Sequence, residues 1–244
     1  MAEERIVVPV RSPTPALPYT LRGCMMDANA TSGHVETDGA WLDRKDGRVR
    51  IRKLAVGELA NNVYVVSCTS TGTSLVIDAA ARPEVIRDAL ADTSPLAIVQ
   101  THGHWDHIRA IEALRDDPGL PFWAHDGDHS NYPLPPDRFL TDGDVIDIGV
   151  LEVTVIHVPG HTPGSLLFLT RGDTRHHLFS GDTLFPGGHG KTTTAEDHAR
   201  IMDGLESRVF ARLDDETMVY PGHGDDTTIG AERPHLRAWR ARGW

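Results

Sequence analysis

The chain has 244 residues, 39% hydrophobic and 24% charged, which suits one large globular domain or one domain with a short appendage. Its formal net charge of −11 argues against a nucleic-acid or anionic-membrane partner, since such surfaces need concentrated Lys and Arg. No apolar run reaches the roughly 18 residues of a membrane span, no secretion signal is read at the start, and Cys24 and Cys68 alone imply no disulfide framework and fit a reducing cytoplasm.

Residues 1–40 are rich in Pro, Gly, Thr and Ser without a clear period, so an irregular N-terminal extension is expected there, followed by one domain over 41–244. From about residue 47 the pattern becomes strand-like. "RVRIRKLAV" alternates, and "NNVYVVSC" and "TSLVIDAA" are short and β-branched. "RPEVIRDALAD" predicts a helix with Pro83 near its first turn. "PLAIVQ" predicts a strand that ends at "THGHWDH", and "WDHIRAIEALRDD" a helix that stops before Pro118-Gly119.

The second half repeats this style. "DGDVIDIGVLEVTVIHV" predicts a hairpin turning near Gly149, and "GSLLFLTRGDTRHHLFSGD" a second pair turning at Gly172-Asp173. "TTAEDHARIMDGLESRVFARL" has helical periodicity with a Thr/Glu start like a capping box. "ETMVYPGHG" predicts the last strand and "GAERPHLRAWRARGW" a terminal amphipathic helix. The repeated element order predicts an α/β (α+β) chain of two mixed sheets packed together, with helices outside.

Four apolar strands end in polar, Gly-bearing clusters: "THGHWDH", "PGHTPG", "GDTLF" and "PGHG". Loops of this kind present side chains into a shared cleft. The candidates are His102, His104, Asp106, His107, His161, Asp182 and His223. Imidazole and carboxylate without thiolate suit a catalytic divalent site rather than a structural one. Positions i and i+2 of an extended segment face the same way, so His102 and His104 can grip one ion. The turn into a helix carries Asp106 and His107 to a second position, and His161 and His223 can complete the two sets. Asp182 has two oxygens with which to bridge ions that sit about 3.5–4 Å apart in hydrolytic pairs.

The remaining histidines read differently. His34, His129, His176, His177, His198 and His235 are expected on the surface or in hydrogen bonds, and His125 and His157 in packing or in support of ligands. Thr101, Thr162, Ser165 and Thr183 lack a matching base and read as turn and supporting residues. The aromatics Trp105, Trp123, Tyr132 and Phe185 are either pocket walls or packing residues.

"HGHWDH", "PGHTPGS" around His161, "SGDTLF" around Asp182 and "PGHG" around His223 together resemble the metallo-β-lactamase superfamily over roughly residues 48–230. The resemblance implies a four-layer αββα sandwich and a catalytic domain over 41–244. It implies one metal held by His102, His104 and His161, a second held by Asp106, His107 and His223, and Asp182 between them. "GHTPGS" and "FSGDTLFPGGHGKT" are most similar to the glyoxalase II-like hydrolases, which cleave thioesters of hydroxyacyl-thiols. In those enzymes a basic residue after the Gly-rich loop contacts the thiol cofactor's carboxylate, and Lys191 occupies the similar place. The chain departs from that pattern in three ways. Only 21 residues follow His223, Ile108-Arg109-Ala110 replaces the usual Gly-Gly, and His189 stands where related thioesterases often carry Cys.

The expected activity is therefore that of a dinuclear metal-dependent hydrolase with two Zn2+, Fe or Mn being the other options. A metal-bridging hydroxide, oriented by Asp106 and Asp182, would attack an ester-like bond, a thioester of a small thiol being the expected substrate. Trp105, His189 and Lys191 are the expected substrate-binding residues, the alternative for Lys191 being an ordinary solvated lysine. The expected partner is a small molecule, with the protein a monomer or homodimer. Competing readings are a persulfide dioxygenase with one iron on His102, His161 and Asp182, a lactone hydrolase, and a non-catalytic metal-binding module. The complete ligand set argues against the last.

Overall fold

The computed structural model describes residues 32–243. Its first sheet runs in chain order: β1 (Leu42–Asp46), β2 (Val49–Val56), β3 (Asn61–Cys68), β4 (Thr73–Ile77), β5 (Ser94–Val99), β6 (Phe122–Ala124) and β7 (Arg138–Phe139). The first four strands pair antiparallel through tight turns. From β4 onward the pairing is parallel, which demands crossovers. Two crossovers carry α1 (Pro83–Leu90) and α2 (Ile111–Asp116).

The second sheet contains β8 (Val145–Ile148), β9 (Leu151–His157), β10 (Leu166–Arg171) and β11 (His176–Gly181) as an antiparallel meander. The chain then forms a small ribbon, β12 (Leu184–Phe185) with β13 (Gly188–His189), and the helix α3 (Ala195–Gly204). It returns as β14 (Met218–Pro221), parallel to β11, and β15 (Thr227–Thr228). The helices α4 (Ile229–Glu232) and α5 (Leu236–Arg242) end the described chain.

Side-chain alternation builds three apolar layers from these sheets. Along β3, Tyr64 and Val66 face the second sheet, where they meet Val155, Phe168, Phe179 and Tyr220. Their neighbours Val63 and Val65 face the other way, into Ile86 and Leu90 of α1 and Ile111 and Leu114 of α2. Leu178 and Val219 similarly face Ile201 and Met202 of α3 and Trp239 of α5. Strands buried on both faces read as continuous apolar runs instead of alternating ones. The result is the four-layer αββα sandwich.

Several elements are shorter than the sequence predicts. The helix expected over 105–117 is a single 3-10 turn, Trp105–His107, followed by α2. The interruption has a cause. The Arg109 and Ala110 amides donate to the carbonyls of Ala80 and Ala79, and the His107 carbonyl accepts from Gln100 Nε2, so these groups are taken from a helical ladder. The helix after Thr194 does start with a side-chain cap, Thr194 Oγ1 accepting from the Asp197 amide at 3.0 Å, but it widens into a π turn over Leu205–Phe210. The C-terminal helix is broken at Arg233–His235, where Pro234 supplies no amide hydrogen. Strand β1, "LDRKD", escaped the pattern because an edge strand carries charges in place of alternating apolar residues. Most of the expected extension, residues 1–31, lies outside the described residues. Residues 32–40 contain no strand or helix, and Ser32 and Asp38 hydrogen-bond through their backbones to Asp226 and Ala55.

Candidate metal centre

Seven side chains from four strand ends converge at one edge of the sandwich. His102, His104, Asp106 and His107 follow β5, His161 follows β9, Asp182 follows β11 and His223 follows β14. Nδ1 of His104 lies 3.1 Å from Nε2 of His102 and 3.0 Å from Nε2 of His161. Nε2 of His107 lies 3.1 Å from Nε2 of His223 and 3.5 Å from Oδ2 of Asp106. Asp182 stands between the two groups: Oδ2 is 3.6 Å from His161 Nε2 and 3.7 Å from His223 Nε2, and Oδ1 is 3.5 Å from His107 Nε2.

Four of the five rings are oriented from behind. His161 Nδ1 donates to the Lys191 carbonyl at 2.8 Å, and His223 Nδ1 to the Leu59 carbonyl at 3.0 Å. His107 Nδ1 donates to Asp78 Oδ2 at 2.9 Å. Thr101 Oγ1 spends its hydrogen on the same Asp78 oxygen at 2.8 Å and so accepts from His102 Nδ1 at 3.0 Å. With these four Nδ1–H groups engaged, the four Nε2 atoms face inward, where each, once deprotonated, offers a lone pair to a cation.

Three residues that sequence reasoning did not name complete this frame. Asp78 supports His107 and Thr101, and it sits at φ 60°, a left-handed conformation that Asp tolerates better than most residues. Asn61 Nδ2 donates to Asp106 Oδ2 at 2.8 Å. Asp128 is fully buried and accepts from the Gly103 amide at 2.8 Å, Thr162 Oγ1 at 2.7 Å and the Gly164 amide at 2.9 Å. One carboxylate thus ties the "HGH" turn to the His161 loop. The available signal for Asp78 was its place after the strand "SLVI"; Asn61 and Asp128 reach the site through contacts that no local pattern encodes. Glycine also matters here. A side chain at Gly222 would collide with Asp182 Oδ1 and His107, so the "PGHG" strand end approaches the site only without one.

Burial sets the electrostatics. Desolvation holds His102 well below the ordinary imidazole range and also lowers His161. Burial opposes protonation of His107 too, but the carboxylates of Asp182 and Asp78 outweigh it and raise His107 to about 10. Burial would raise Asp182, yet the neighbouring imidazoles, His107 first, hold it below the usual carboxylate range. Asp182 Oδ1 is buried with no hydrogen-bond partner among the described residues. An unpartnered carboxylate oxygen amid inward-facing imidazole nitrogens fits a bound divalent cation. The donor atoms of His102, His104 and His161, and those of Asp106, His107 and His223, each lie within 4.8 Å of one another.

A model of the metallo-beta-lactamase superfamily matches residues 56–223, which include every one of these side chains. The chain belongs to this superfamily. It is 35% identical over 168 residues to a hydroxyacylglutathione hydrolase of Thermosynechococcus vestitus, covering 67% of this chain and 63% of that protein. Among solved structures it is similar to the BLEG-1 B3 metallo-beta-lactamase, with a TM-score of 0.70 and 29% identity over 78% of this chain and 99% of that one. It is likewise similar to ETHE1 from Myxococcus xanthus, with a TM-score of 0.67 and 30% identity over 78% and 84% of the two chains. Superfamily membership and the hydrolase relative together support metal-dependent hydrolysis.

The other residues singled out from the sequence spread around this superfamily site. Trp105 is 59% exposed, with the Arg109 guanidinium 5.6 Å from its ring centre. Lys191 is exposed, and its carbonyl rather than its side chain is seen to serve the site, through His161. His189 donates from Nδ1 to the Gly190 carbonyl at 2.7 Å, and its half-buried ring lies 5.0 Å from that of His198. Of the aromatics, Tyr132 packs edge-on against Phe122, and Trp123 packs partly buried against the inter-sheet core. His125 and His157 stack 4.1 Å apart and join neither ligand group. His177 is in hydrogen bonds, as expected, to Tyr220 and Asp46, whereas His198 is buried and its Nε2 has no partner among the described residues.

Proposed function

We propose that the protein is a dinuclear metal-dependent hydrolase acting on an ester-like bond, with thioesters of a small thiol as its substrates. His102, His104 and His161 hold one ion, and Asp106, His107 and His223 the other. Asp182 contributes to both, and two zinc ions are the expected occupants, with iron or manganese able to use the same donors. When bound, the ions supply activation of water and polarisation of the substrate carbonyl.

The chain's own residues do the rest. Asp182 and Asp106 present carboxylate oxygens that orient a water molecule and accept its hydrogen bonds. Asp78, Thr101 and the carbonyls of Leu59 and Lys191 keep four imidazoles in the tautomer that faces Nε2 inward. No serine or cysteine nucleophile is needed. The candidate hydroxyls are spent elsewhere, Thr101 on Asp78 and Thr162 on Asp128.

The observation that carries this reading is the placement of Asp182, within 3.5–3.7 Å of imidazoles of both groups and with one oxygen unpartnered. The relative named hydroxyacylglutathione hydrolase supports the thioester class. The protein acts in the cytoplasm on a small molecule, as a monomer or homodimer, without nucleic acid or membrane. The test is metal content of the purified protein beside turnover of thioesters, lactones and a persulfide. Two ions with thioester hydrolysis is the expected result; one iron with oxygen consumption on the persulfide contradicts it.

A further inference from the structure

We propose that the Trp105–Arg109 pair forms a recognition site for a carboxylate carried on an apolar segment of the substrate, which makes acidic thioesters the preferred class. This rests on the hydrolase reading above.

Five large hydrophobic side chains are conspicuously exposed among the described residues: Leu59, Trp105, Phe139, Val145 and Val150. The last three lie along β7, β8 and the turn that follows, away from the ligand loops. Leu59 and Trp105 are different. Trp105 separates His104 from Asp106 in the chain, and Leu59 supplies the carbonyl that orients His223. Leu59 is 50% exposed on a loop that supports a ligand, and Trp105 is 59% exposed on the loop that carries four of them.

Arg109 adds the charge. Its exposed guanidinium sits four residues after Trp105, at the end of the loop that carries His102, His104, Asp106 and His107. Its backbone amide is anchored to the Ala80 carbonyl at 3.1 Å, and its guanidinium lies 5.6 Å from the Trp105 ring centre. Among the described residues Arg109 is exposed and forms no ion pair. Contact with an indole restrains a guanidinium while leaving its N–H edge free for two parallel hydrogen bonds to a carboxylate. An unpaired cation beside apolar surface, on a chain of net charge −11, matches a ligand that is itself part anion and part hydrocarbon. The carboxylate can reside on the acyl half of the thioester or on the thiol half.

The test uses zinc-loaded protein and three thioesters: the glutaric monothioester of N-acetylcysteamine, hexanoyl-3-mercaptopropionate, and neutral hexanoyl-N-acetylcysteamine. The wild type is expected to favour one of the acidic substrates in kcat/KM, and which one identifies the half that carries the carboxylate. Arg109→Gln is expected to cut that acidic-to-neutral ratio about tenfold, and Arg109→Lys to cut it less. A ratio unchanged within about twofold in Arg109→Gln, with metal content and melting temperature as in the wild type, overturns the proposal. If no thioester is cleaved, the hydrolase reading fails and calorimetric binding of octanoate to the zinc-loaded protein decides the recognition site. Binding about tenfold weaker in Arg109→Gln supports the site; equal binding overturns it.

Discussion

The two ligand groups meet at Asp182 but are built differently. The first, His102, His104 and His161, is all imidazole; burial keeps His102 and His161 deprotonated, and Asp128 clamps the two loops that carry the group. The second, Asp106, His107 and His223, mixes charge: Asp78 and Asp182 hold a proton on His107 up to about 10 in the absence of a metal. Its His223 loop rests on a buried ion pair. Lys53 Nζ donates to Asp226 Oδ1 and to the Gly224 carbonyl, both at 2.7 Å, while Asn62 and Tyr64 donate to the Pro221 carbonyl. The first group is thus ready for a cation, whereas the second must exchange a proton for one.

The largest effect is expected where the groups join. Asp182→Ala should lower kcat/KM for thioester hydrolysis by roughly a thousandfold and reduce bound metal, measured by elemental analysis with steady-state kinetics. Retention of both ions would separate Asp182 from metal binding. Lys53→Met should come next, because it leaves Asp226 buried with only part of its compensation. A loss of about 3 kcal/mol in unfolding free energy is expected, measured by denaturant titration, with weaker metal binding in the second group than in the first. Equal weakening of the two groups would show that Lys53 serves the whole fold and not the His223 loop.

The supporting carboxylates permit a finer comparison. Asp78→Asn should weaken metal binding by about 10–100-fold in the His107 group, and Asp128→Asn by a similar factor in the His102–His161 group. Competition with a chelator of known affinity reads both. The smallest effect concerns pH. Because the metal-free pKa of His107 is raised, the proton competes with metal below about 10, and second-group affinity should fall about tenfold per pH unit as pH is lowered. The first group should show this competition from His102 and His161 only below the ordinary imidazole range. Calorimetry in buffers of different ionisation enthalpy counts the protons released; no release on filling the second group contradicts the raised value.

Much of this was legible in the sequence because it is written locally. "THGHWDH" holds four of the seven convergent residues, and each of the other three sits beside a glycine at the end of an apolar run. The two-sheet architecture follows from the strand runs that both layers of helix and sheet bury. What escaped depends on contacts between distant segments. Asp128 lies 34 residues from Thr162 and 25 from Gly103, yet it holds both. The Lys53–Asp226 pair spans 173 residues, and a lone Lys in the alternating run "RVRIRKLAV" gives no sign of burial. Helix lengths failed for a related reason: tertiary hydrogen bonds at Arg109 and Ala110 override the periodicity of "WDHIRAIEALRDD".

The central claim is that hydrolysis needs both groups filled and joined by Asp182. Metal-free protein titrated with zinc, with thioester turnover followed at each addition, tests it most directly. The account predicts that turnover stays low through the first equivalent and rises to its plateau with the second. A plateau already reached at one equivalent would contradict it.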